Sequence, residues 1–399
     1  MSDDEAARPV NARDDPRLAR ALFAGMCALA IAMGVGRFAY TPLLPAMEQA
    51  GHFGADVAGR LAGVNYLGYL LGAFGAAALT RPRLRRPGLF ACLAASVATT
   101  AAMAVSTNLA YWVLLRFVSG VASAGVLVWS SALILERLAR HGRQSWMGWI
   151  YAGIGVGIAA SGAIIAAGGD ALGWRGGWLA LALPCCALLV PCWLWLAPSE
   201  SEGAAVVAPG RPVRAERFPA PLLNLVYFLQ GGGYAVTGTF LVAIAKAMPE
   251  LHTLAQALWI VVGLAAAPSA VAWTALSRRT GLVAALIAAY VVQAIAIVLP
   301  VASGTPWAAL VASIGFGGTF AGIAVMTVSL GGAIAPRNPT RMIGLLTAAF
   351  SIGQIVGPVL AGELAAHEGN FVLALELAAA AVFVGAVLMG VGAGWRRKG

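Results

Sequence analysis

Long apolar runs alternate with short polar breaks along almost the whole chain. The runs last about 20 residues, the length that a helix needs to cross the hydrocarbon core of a bilayer, and charged residues or Pro/Gly clusters separate them. They lack the period-two alternation of outer-membrane strands. The pattern predicts twelve transmembrane helices, at 21–44, 57–79, 88–106, 110–135, 147–167, 177–197, 221–245, 255–276, 282–300, 307–333, 342–364 and 372–393.

A longer polar stretch divides these runs into two sets of six. Residues 198–220 contain Ser-Glu-Ser-Glu-Gly and Arg-Pro-Val-Arg-Ala-Glu-Arg and are predicted to be a cytoplasmic linker. It would join six-helix halves at 21–197 and 221–393, with cytoplasmic tails at 1–20 and 394–399.

Glycines recur at matching places in the two halves. The alternative explanation is that small residues serve generic helix packing, but a fixed offset favours a 6+6 duplication. The matching sets are Gly153, Gly157 and Gly162 in the fifth run with Gly353, Gly357 and Gly362 in the eleventh, and Gly120 and Gly125 in the fourth with Gly317 and Gly322 in the tenth.

Composition and charge restrict the class of protein. The 399 residues are 60% hydrophobic and 11% charged, with a mean hydropathy of +0.83, whereas a soluble domain carries charge on roughly a quarter of its residues. Of the 26 Lys and Arg residues, 21 fall in the tails and alternate loops of one face, three on the opposite face and two inside the spans. This asymmetry predicts a membrane protein with both termini in the cytoplasm. The net charge of +10 is then a topology signal, and no nucleic-acid partner is expected.

No metal or other cofactor is expected. The five cysteines all lie inside apolar runs without Cys-x-x-Cys spacing, and the four histidines lie between runs. Neither arrangement provides the ligand spacing of a zinc or haem site.

Several short motifs resemble signatures of the major facilitator superfamily. The segment 116–120 (Arg-Phe-Val-Ser-Gly) resembles the Arg-x-x-x-Gly of its fourth helix, 173–178 (Gly-Trp-Arg-Gly-Gly-Trp) its turn between helices five and six, and 277–281 (Ser-Arg-Arg-Thr-Gly) its loop between helices eight and nine. The segments 34–45 (Gly-Val-Gly-Arg-Phe-Ala-Tyr-Thr-Pro-Leu-Leu-Pro) and 349–358 (Ala-Phe-Ser-Ile-Gly-Gln-Ile-Val-Gly-Pro) look like the YbfB-like branch of bacterial facilitators. The resemblance implies a location in the bacterial inner membrane and two six-helix halves around a central cavity lined by helices one, four, seven and ten. It also implies proton-driven transport by alternating access.

Two features depart from the superfamily pattern. The loop 80–88 keeps the basic residues but lacks the usual Asp, so the cytoplasmic latch of that Asp is not expected here. The fifth helix has Gly155-x-Gly157 without the proline of antiporters, which weakens the case for export.

Arg37 and Arg116 are the two basic side chains predicted to lie inside spans, at a similar depth. A charge in hydrocarbon costs at least about 2.5 kcal/mol and usually faces a cavity or a partner. Since a guanidinium offers a planar fork to an oxyanion, the pair favours a carboxylate or another anion as substrate. The alternative is that each arginine tethers helices, through backbone carbonyls or Asp56.

Polar stripes accompany the arginines. Ser119 and Ser123 share a helix face with Arg116, and four uncharged polar residues of the seventh helix point one way. The adjoining Gly231-Gly232-Gly233 is predicted to loosen that helix. The substrate-pathway candidates are Arg37, Tyr40, Asn65, Tyr69, Arg116, Ser119, Ser123, Tyr227, Gln230, Tyr234, Thr237 and Gln354; the cytoplasmic gate candidates are Arg85, Arg86, Glu136, Arg278 and Arg279.

We therefore expect an all-α polytopic membrane protein that is not an enzyme and moves a small solute, preferably an organic anion, as a monomer. Proton coupling follows from the resemblance alone, because no Asp or Glu lies near the middle of a predicted span; facilitated diffusion or exchange would need no such acid. The rival prediction is a polytopic membrane enzyme such as a lipid-modifying transferase, for which the outer loops offer His52, Asp56, Glu250 and His252.

Overall fold

Helices form every regular element in the described part of the chain. The computed structural model describes residues 16–79, 81–196 and 218–395. The predicted tails, for the most part, and the predicted linker up to residue 217 lie outside these ranges. The helices, numbered in chain order, are α1 (Pro16–Gly51), α2 (Ala55–Ala78), α3 (Pro82–Ala102), α4 (Leu109–Arg140), α5 (Gln144–Gly169), α6 (Ala171–Trp195), α7 (Ala220–Ala247), α8 (His252–Thr280), α9 (Leu282–Ser303), α10 (Pro306–Ile334), α11 (Pro339–Glu368) and α12 (Val372–Trp395).

Eleven of these helices are long and apolar enough to cross a membrane, as expected for a multi-pass membrane protein. The exception among the described helices is α3. It begins at Pro82 rather than at the predicted residue 88, because a proline is pre-organised for the first turn of a helix. Three arginines of the predicted loop, Arg83, Arg85 and Arg86, are therefore helical, and they lower the apolar character of α3.

The first helix is broken in its middle, where the sequence predicts a continuous span. An α-helix over Pro16–Leu29 passes into a π-helical turn over Ala30–Val35, residues 36–39 form turns, and a second α-helix runs over Tyr40–Gly51. Gly34 and Gly36 weaken the helix here. Pro42 adds to the break because it has no N–H to donate to the carbonyl of residue 38. Arg37 lies in the break.

The predicted glycine sets occupy matching helix contacts. A side chain on these glycines would collide with a neighbouring helix, and the neighbouring helices of the two sets correspond. In the first set α5 packs on α1 and α8, and in the second set α11 packs on α7 and α2. In the same way α4 packs on α2, and α10 packs on α8. The blocking residues are Met26 for Gly153, Gly34 for Gly157, Ile260 for Gly162, Phe228 for Gly353, Gly232 for Gly357, Ala55 for Gly362, Asn65 for Gly120 and Val262 for Gly317. Gly125 and Gly322 do not correspond, because they face Cys92 of α3 and Trp273 of α8.

Candidate functional site

The break in α1 makes backbone carbonyls available to α4. The N–H of Thr41 bonds to the carbonyl of Phe38 instead of to that of Arg37. The hydroxyl of Ser119 donates to the carbonyl of Gly36 at 2.8 Å, and Nη2 of Arg116 reaches the carbonyl of Arg37 at 3.4 Å. The two predicted arginines therefore lie next to each other, and α4 is fixed against the break in α1.

Arg37 is buried among aromatic rings and one amide. Its Nη2 donates to Oε1 of Gln354 on α11 at 3.0 Å. Its guanidinium carbon lies 4.2 Å from the ring centroid of Tyr69 and 4.6 Å from that of Tyr66, both on α2. Rings at this distance attract a cation through their quadrupole. The side chain is 4% exposed, so these contacts replace most of its hydration.

Arg116 is buried to the same extent, at 3% exposure. Its guanidinium carbon lies 4.5 Å from the ring centroid of Tyr40, whose hydroxyl donates to the carbonyl of Ala58 at 3.1 Å. The amide of Asn65 donates to the backbone carbonyl of Arg116 at 2.8 Å. The hydrogen bond from Arg116 to the carbonyl of Arg37 is the contact expected if Arg116 only tethers two helices. Arg116 therefore has one backbone contact and one ring contact, and no acidic partner among the described residues.

Both guanidinium groups lack a counter-ion within residues 16–79, 81–196 and 218–395. The ion pairs there join Arg60 with Asp56 and Glu363, and Arg85 with Glu136. Asp56 therefore faces Arg60, and the predicted alternative in which it tethers Arg37 is wrong. The Nε atoms of Arg37 and Arg116 are buried without a hydrogen-bond partner. A buried charged donor without an acceptor is costly, so a ligand oxyanion is a favourable partner for these atoms.

Helices α7, α10 and α11 place a group of stacked rings beside the arginines. Tyr234 lies parallel to Phe316 and Phe320, with centroid separations of 5.6 and 5.5 Å. Tyr227 stacks on Phe350 at 4.5 Å. Phe350 lies one turn before Gln354 on α11, which brings the ring group to the amide that binds Arg37.

Three predicted pathway residues point elsewhere. Nε2 of Gln230 donates to Oε1 of Gln293 on α9 at 3.0 Å. Thr237 lines an apolar pocket between α7, α8, α9, α10 and α12, in which Ser313 is the other polar residue. The hydroxyl of Ser123 bonds to the carbonyl of Gly120 in its own helix. The stripe predicted on α7 thus divides: its tyrosines join the ring group, while Gln230 and Thr237 face neighbouring helices.

The glycine triplet of α7 does not interrupt that helix, so the predicted loosening at this point is wrong. α7 is a continuous α-helix over Ala220–Ala247. Gly231 and Gly233 instead allow close packing, since a side chain there would collide with the carbonyls of Phe350 and Ala378. A break in the helical backbone is found instead in α1, at the π-helical turn over Ala30–Val35 and the turns that follow it.

The gate candidates are found at the ends of three helices. Nη1 of Arg85 on α3 binds Glu136 on α4 at 2.8 Å, as predicted. Both helices belong to the first set of six, so this pair does not join the two sets. Arg86 lies over the rings of Phe90 and Trp193, and Arg278 and Arg279 are exposed in the last turn of α8.

A different ion pair does connect the two sets of helices. Nη2 of Arg60 on α2 lies 2.6 Å from Glu363 on α11, and Nε of Arg60 donates to the same oxygen at 3.0 Å. In the same contact, Gly59 and Gly63 of α2 lie against Pro358 and Val359 of α11. We name the Arg60–Glu363 ion pair the α2–α11 clasp.

Sequence reasoning missed several members of the site. Tyr66 follows the candidate Asn65 and lies one helical turn before Tyr69, so the spacing of polar and aromatic residues on α2 could have indicated it. Phe316 and Phe320 are likewise one turn apart. No group of His, Cys, Asp or Glu in the described part of the chain could hold a metal ion.

Comparison with solved structures shows the fold. The chain superimposes on the crystal structure of a mutant of the nucleoside transporter NupG with a TM-score of 0.70 and 12% identity, over 95% of this chain and 99% of that one. The crystal structure of the nucleoside transporter NupG without that mutation gives a TM-score of 0.67 and 13% identity, over 93% and 98%. No curated protein sequence matches the chain.

Comparison with family models shows the family. The model described as "Uncharacterised MFS-type transporter YbfB" matches residues 29–390. This range includes the break in α1, Arg37, Arg116 and all of α2–α11. The predicted resemblance is confirmed, and a transporter family excludes the rival prediction of a lipid-modifying enzyme. The chain belongs to the YbfB family of MFS-type transporters.

Proposed function

We propose that the protein is a secondary transporter that carries small organic anions across the bacterial inner membrane by alternating access. The observation that supports it best is the pair of buried guanidinium groups, Arg37 and Arg116, without an acidic partner among the described residues. At the centre of a bilayer each such charge costs about 2.5–3.5 kcal/mol. A carboxylate that binds both would remove much of this cost and would be held by charge-assisted hydrogen bonds.

The proposed alternating access requires two halves that move against each other. The matching glycine contacts of α5 and α11 support two six-helix halves related by an internal repeat. The contacts between these halves, α2 with α11 and α5 with α8, contain glycines such as Gly155 and Gly263, whose smooth surfaces permit sliding. Gln354 contributes from the second half to Arg37 in the first, so substrate binding there would be coupled to the relative position of the halves.

The proposed topology has both termini in the cytoplasm, which puts the α2–α11 clasp on the outer face. A closed clasp is then consistent with an arrangement in which the site is shut off from the outside. Glu363 and Arg60 are both exposed, so the clasp contributes at most about 1 kcal/mol and can open readily.

We further propose that transport is coupled to protons through Glu48. Among the described side chains, three carboxylates are half-buried: Glu48, Asp56 and Glu136. Asp56 and Glu136 face arginines. Glu48 lies on the same broken helix as Arg37 and has no ion-pair partner in the described part of the chain, so a proton can serve as its partner.

The test is uptake into proteoliposomes that contain the purified protein. A monocarboxylate, a dicarboxylate and a neutral nucleoside are offered to wild type, to Arg116→Met and to the control Arg341→Met, whose arginine is exposed at the start of α11. We expect saturable uptake of a carboxylate by wild type and the control, and its loss in Arg116→Met. Uptake of the nucleoside alone, or carboxylate uptake that survives in Arg116→Met, would contradict the proposal.

A further inference from the structure

We infer that the anion bound at Arg37 and Arg116 carries an aromatic ring, so that the substrate class is the single-ring aromatic carboxylates. This inference rests on the proposed anion transport and adds a second requirement to it. The polar groups of the site account for the carboxylate, whereas the ring requirement comes from the remaining walls of the site, which are aromatic.

The rings around the arginines come from both sets of helices. Tyr40, Tyr66 and Tyr69 of the first set face the two guanidinium groups. Phe38 lies beside Arg37, with its centroid 5.5 Å from the guanidinium carbon, and meets Phe320 of α10 edge-on at 6.1 Å. A continuous series of rings therefore leads from the charged end of the site to the stacked group of the second set.

Within that group, two rings remain partly accessible. Tyr227, Tyr234 and Phe316 are buried, at 2–4% exposure, but their stacking partners Phe320 and Phe350 are half-buried. These two rings also flank the polar groups: Phe320 touches Phe38, and Phe350 lies one turn from Gln354 on α11. Each can offer a face to a further ring held by its carboxylate at the arginines.

Geometry and energetics favour an aromatic over a saturated partner. Tyr234 lies within 9–22° of parallel to Phe316, Phe320 and Phe350, so the group already has the offset-stacked arrangement that aromatic rings prefer. A ligand ring would extend this stack and gain affinity beyond the burial of its area. A saturated ring of similar size gains only the area.

The selectivity can be measured with four matched probes on the purified full-length protein. Benzoate carries charge and ring, cyclohexanecarboxylate carries charge and a saturated ring, benzamide carries the ring without charge, and succinate carries charge without a ring. We expect benzoate to bind about threefold to tenfold more tightly than cyclohexanecarboxylate, and benzamide to bind at least tenfold more weakly than benzoate.

A variant assigns the preference to the ring group. Phe350→Leu is expected to bring the affinities for benzoate and cyclohexanecarboxylate to within about twofold of each other, because leucine keeps the apolar area and removes the stacking face. Phe383→Leu is the matched control: Phe383 is 52% exposed on α12, and this variant should keep the wild-type preference. Thermal unfolding of both variants shows whether they are folded.

The outcomes distinguish the ring inference from the proposed function. Three results would overturn the ring inference and leave anion transport intact. They are equal binding of benzoate and cyclohexanecarboxylate, tighter binding of succinate than of benzoate, and an unchanged preference for benzoate in folded Phe350→Leu. Benzamide binding as tightly as benzoate contradicts the role of the arginines and hence the proposed function. Binding of none of the four probes overturns the ring inference.

Discussion

Replacing Arg116 with methionine separates a binding role from a structural one. The substitution removes the charge but keeps most of the length and volume of the side chain, so it creates little cavity. In the structure it abolishes the contact with the ring of Tyr40 at 4.5 Å and the hydrogen bond to the carbonyl of Arg37 at 3.4 Å.

The expected changes in stability largely cancel. Loss of the ring contact costs about 0.5–2 kcal/mol, and a backbone carbonyl left without its donor costs about 1–3 kcal/mol. Against this, the protein no longer buries a guanidinium group, which saves about 2.5–3.5 kcal/mol. We therefore expect the ligand-free variant to differ from wild type by about 1 kcal/mol or less, a shift of the melting midpoint of no more than about 4 °C.

Ligand binding should respond far more strongly than stability. One arginine's charge-assisted hydrogen bonds to a carboxylate contribute about 1.5–3 kcal/mol, so the dissociation constant should rise about tenfold to 150-fold. The assay is thermal unfolding in detergent with and without a transported carboxylate, together with a binding titration, and Arg341→Met serves as control. A tether would give the opposite result, with a melting midpoint lower by about 10 °C or more and unchanged affinity; that result would refute the reasoning.

Three further predictions concern the halves, the clasp and the coupling. Gly157→Val and Gly357→Val should impair transport to a similar degree, because their side chains would meet equivalent backbones on α1 and α7; uptake rates that fall in only one variant would contradict the internal repeat. Glu363→Gln should release Arg60 and increase labelling of a cysteine introduced at Ser119 by an outside reagent about twofold to fivefold, since an exposed ion pair contributes about 1 kcal/mol or less; unchanged labelling would exclude a gating role for the clasp. Glu48→Gln should abolish substrate-dependent proton movement, measured with a pH-sensitive dye in proteoliposomes, but should leave counterflow exchange of substrate intact. Proton movement that survives in this variant would exclude Glu48 as the coupling group.

The sequence was sufficient for features that depend on composition along the chain. Apolar run length located the helices, and the offset of Gly153 and Gly353 anticipated contacts that the structure makes on α1 and α7. The positions of Arg37 and Arg116 inside apolar runs also followed. The helices and the two arginines need only the length and register of a helix. The Arg85–Glu136 pair followed because the start of one helix and the end of the next lie on the same side of an up-down bundle.

The partner of an individual side chain on a helix that is distant along the chain did not follow from the sequence. Gln230 and Tyr234 share a face of α7, but only the packing of α9 and α10 decides that one binds Gln293 and the other stacks on Phe320. The structural role of a glycine was equally ambiguous from the sequence. The glycines of α7 allow close packing, whereas Gly36 lies in the break of α1, to which Pro42 also contributes because it has no N–H to donate. The ring group was missed because aromatic residues in spans are common and their stacking is set by tertiary structure.

The most direct test of the account is to compare uptake of a carboxylate with uptake of its neutral carboxamide by wild-type proteoliposomes. The two molecules have nearly the same shape and differ in charge, which is the property that Arg37 and Arg116 are proposed to recognise. The account predicts saturable uptake of the carboxylate and no uptake of the carboxamide above that of protein-free vesicles. Equal uptake of both would contradict the claim that the buried arginines select the substrate.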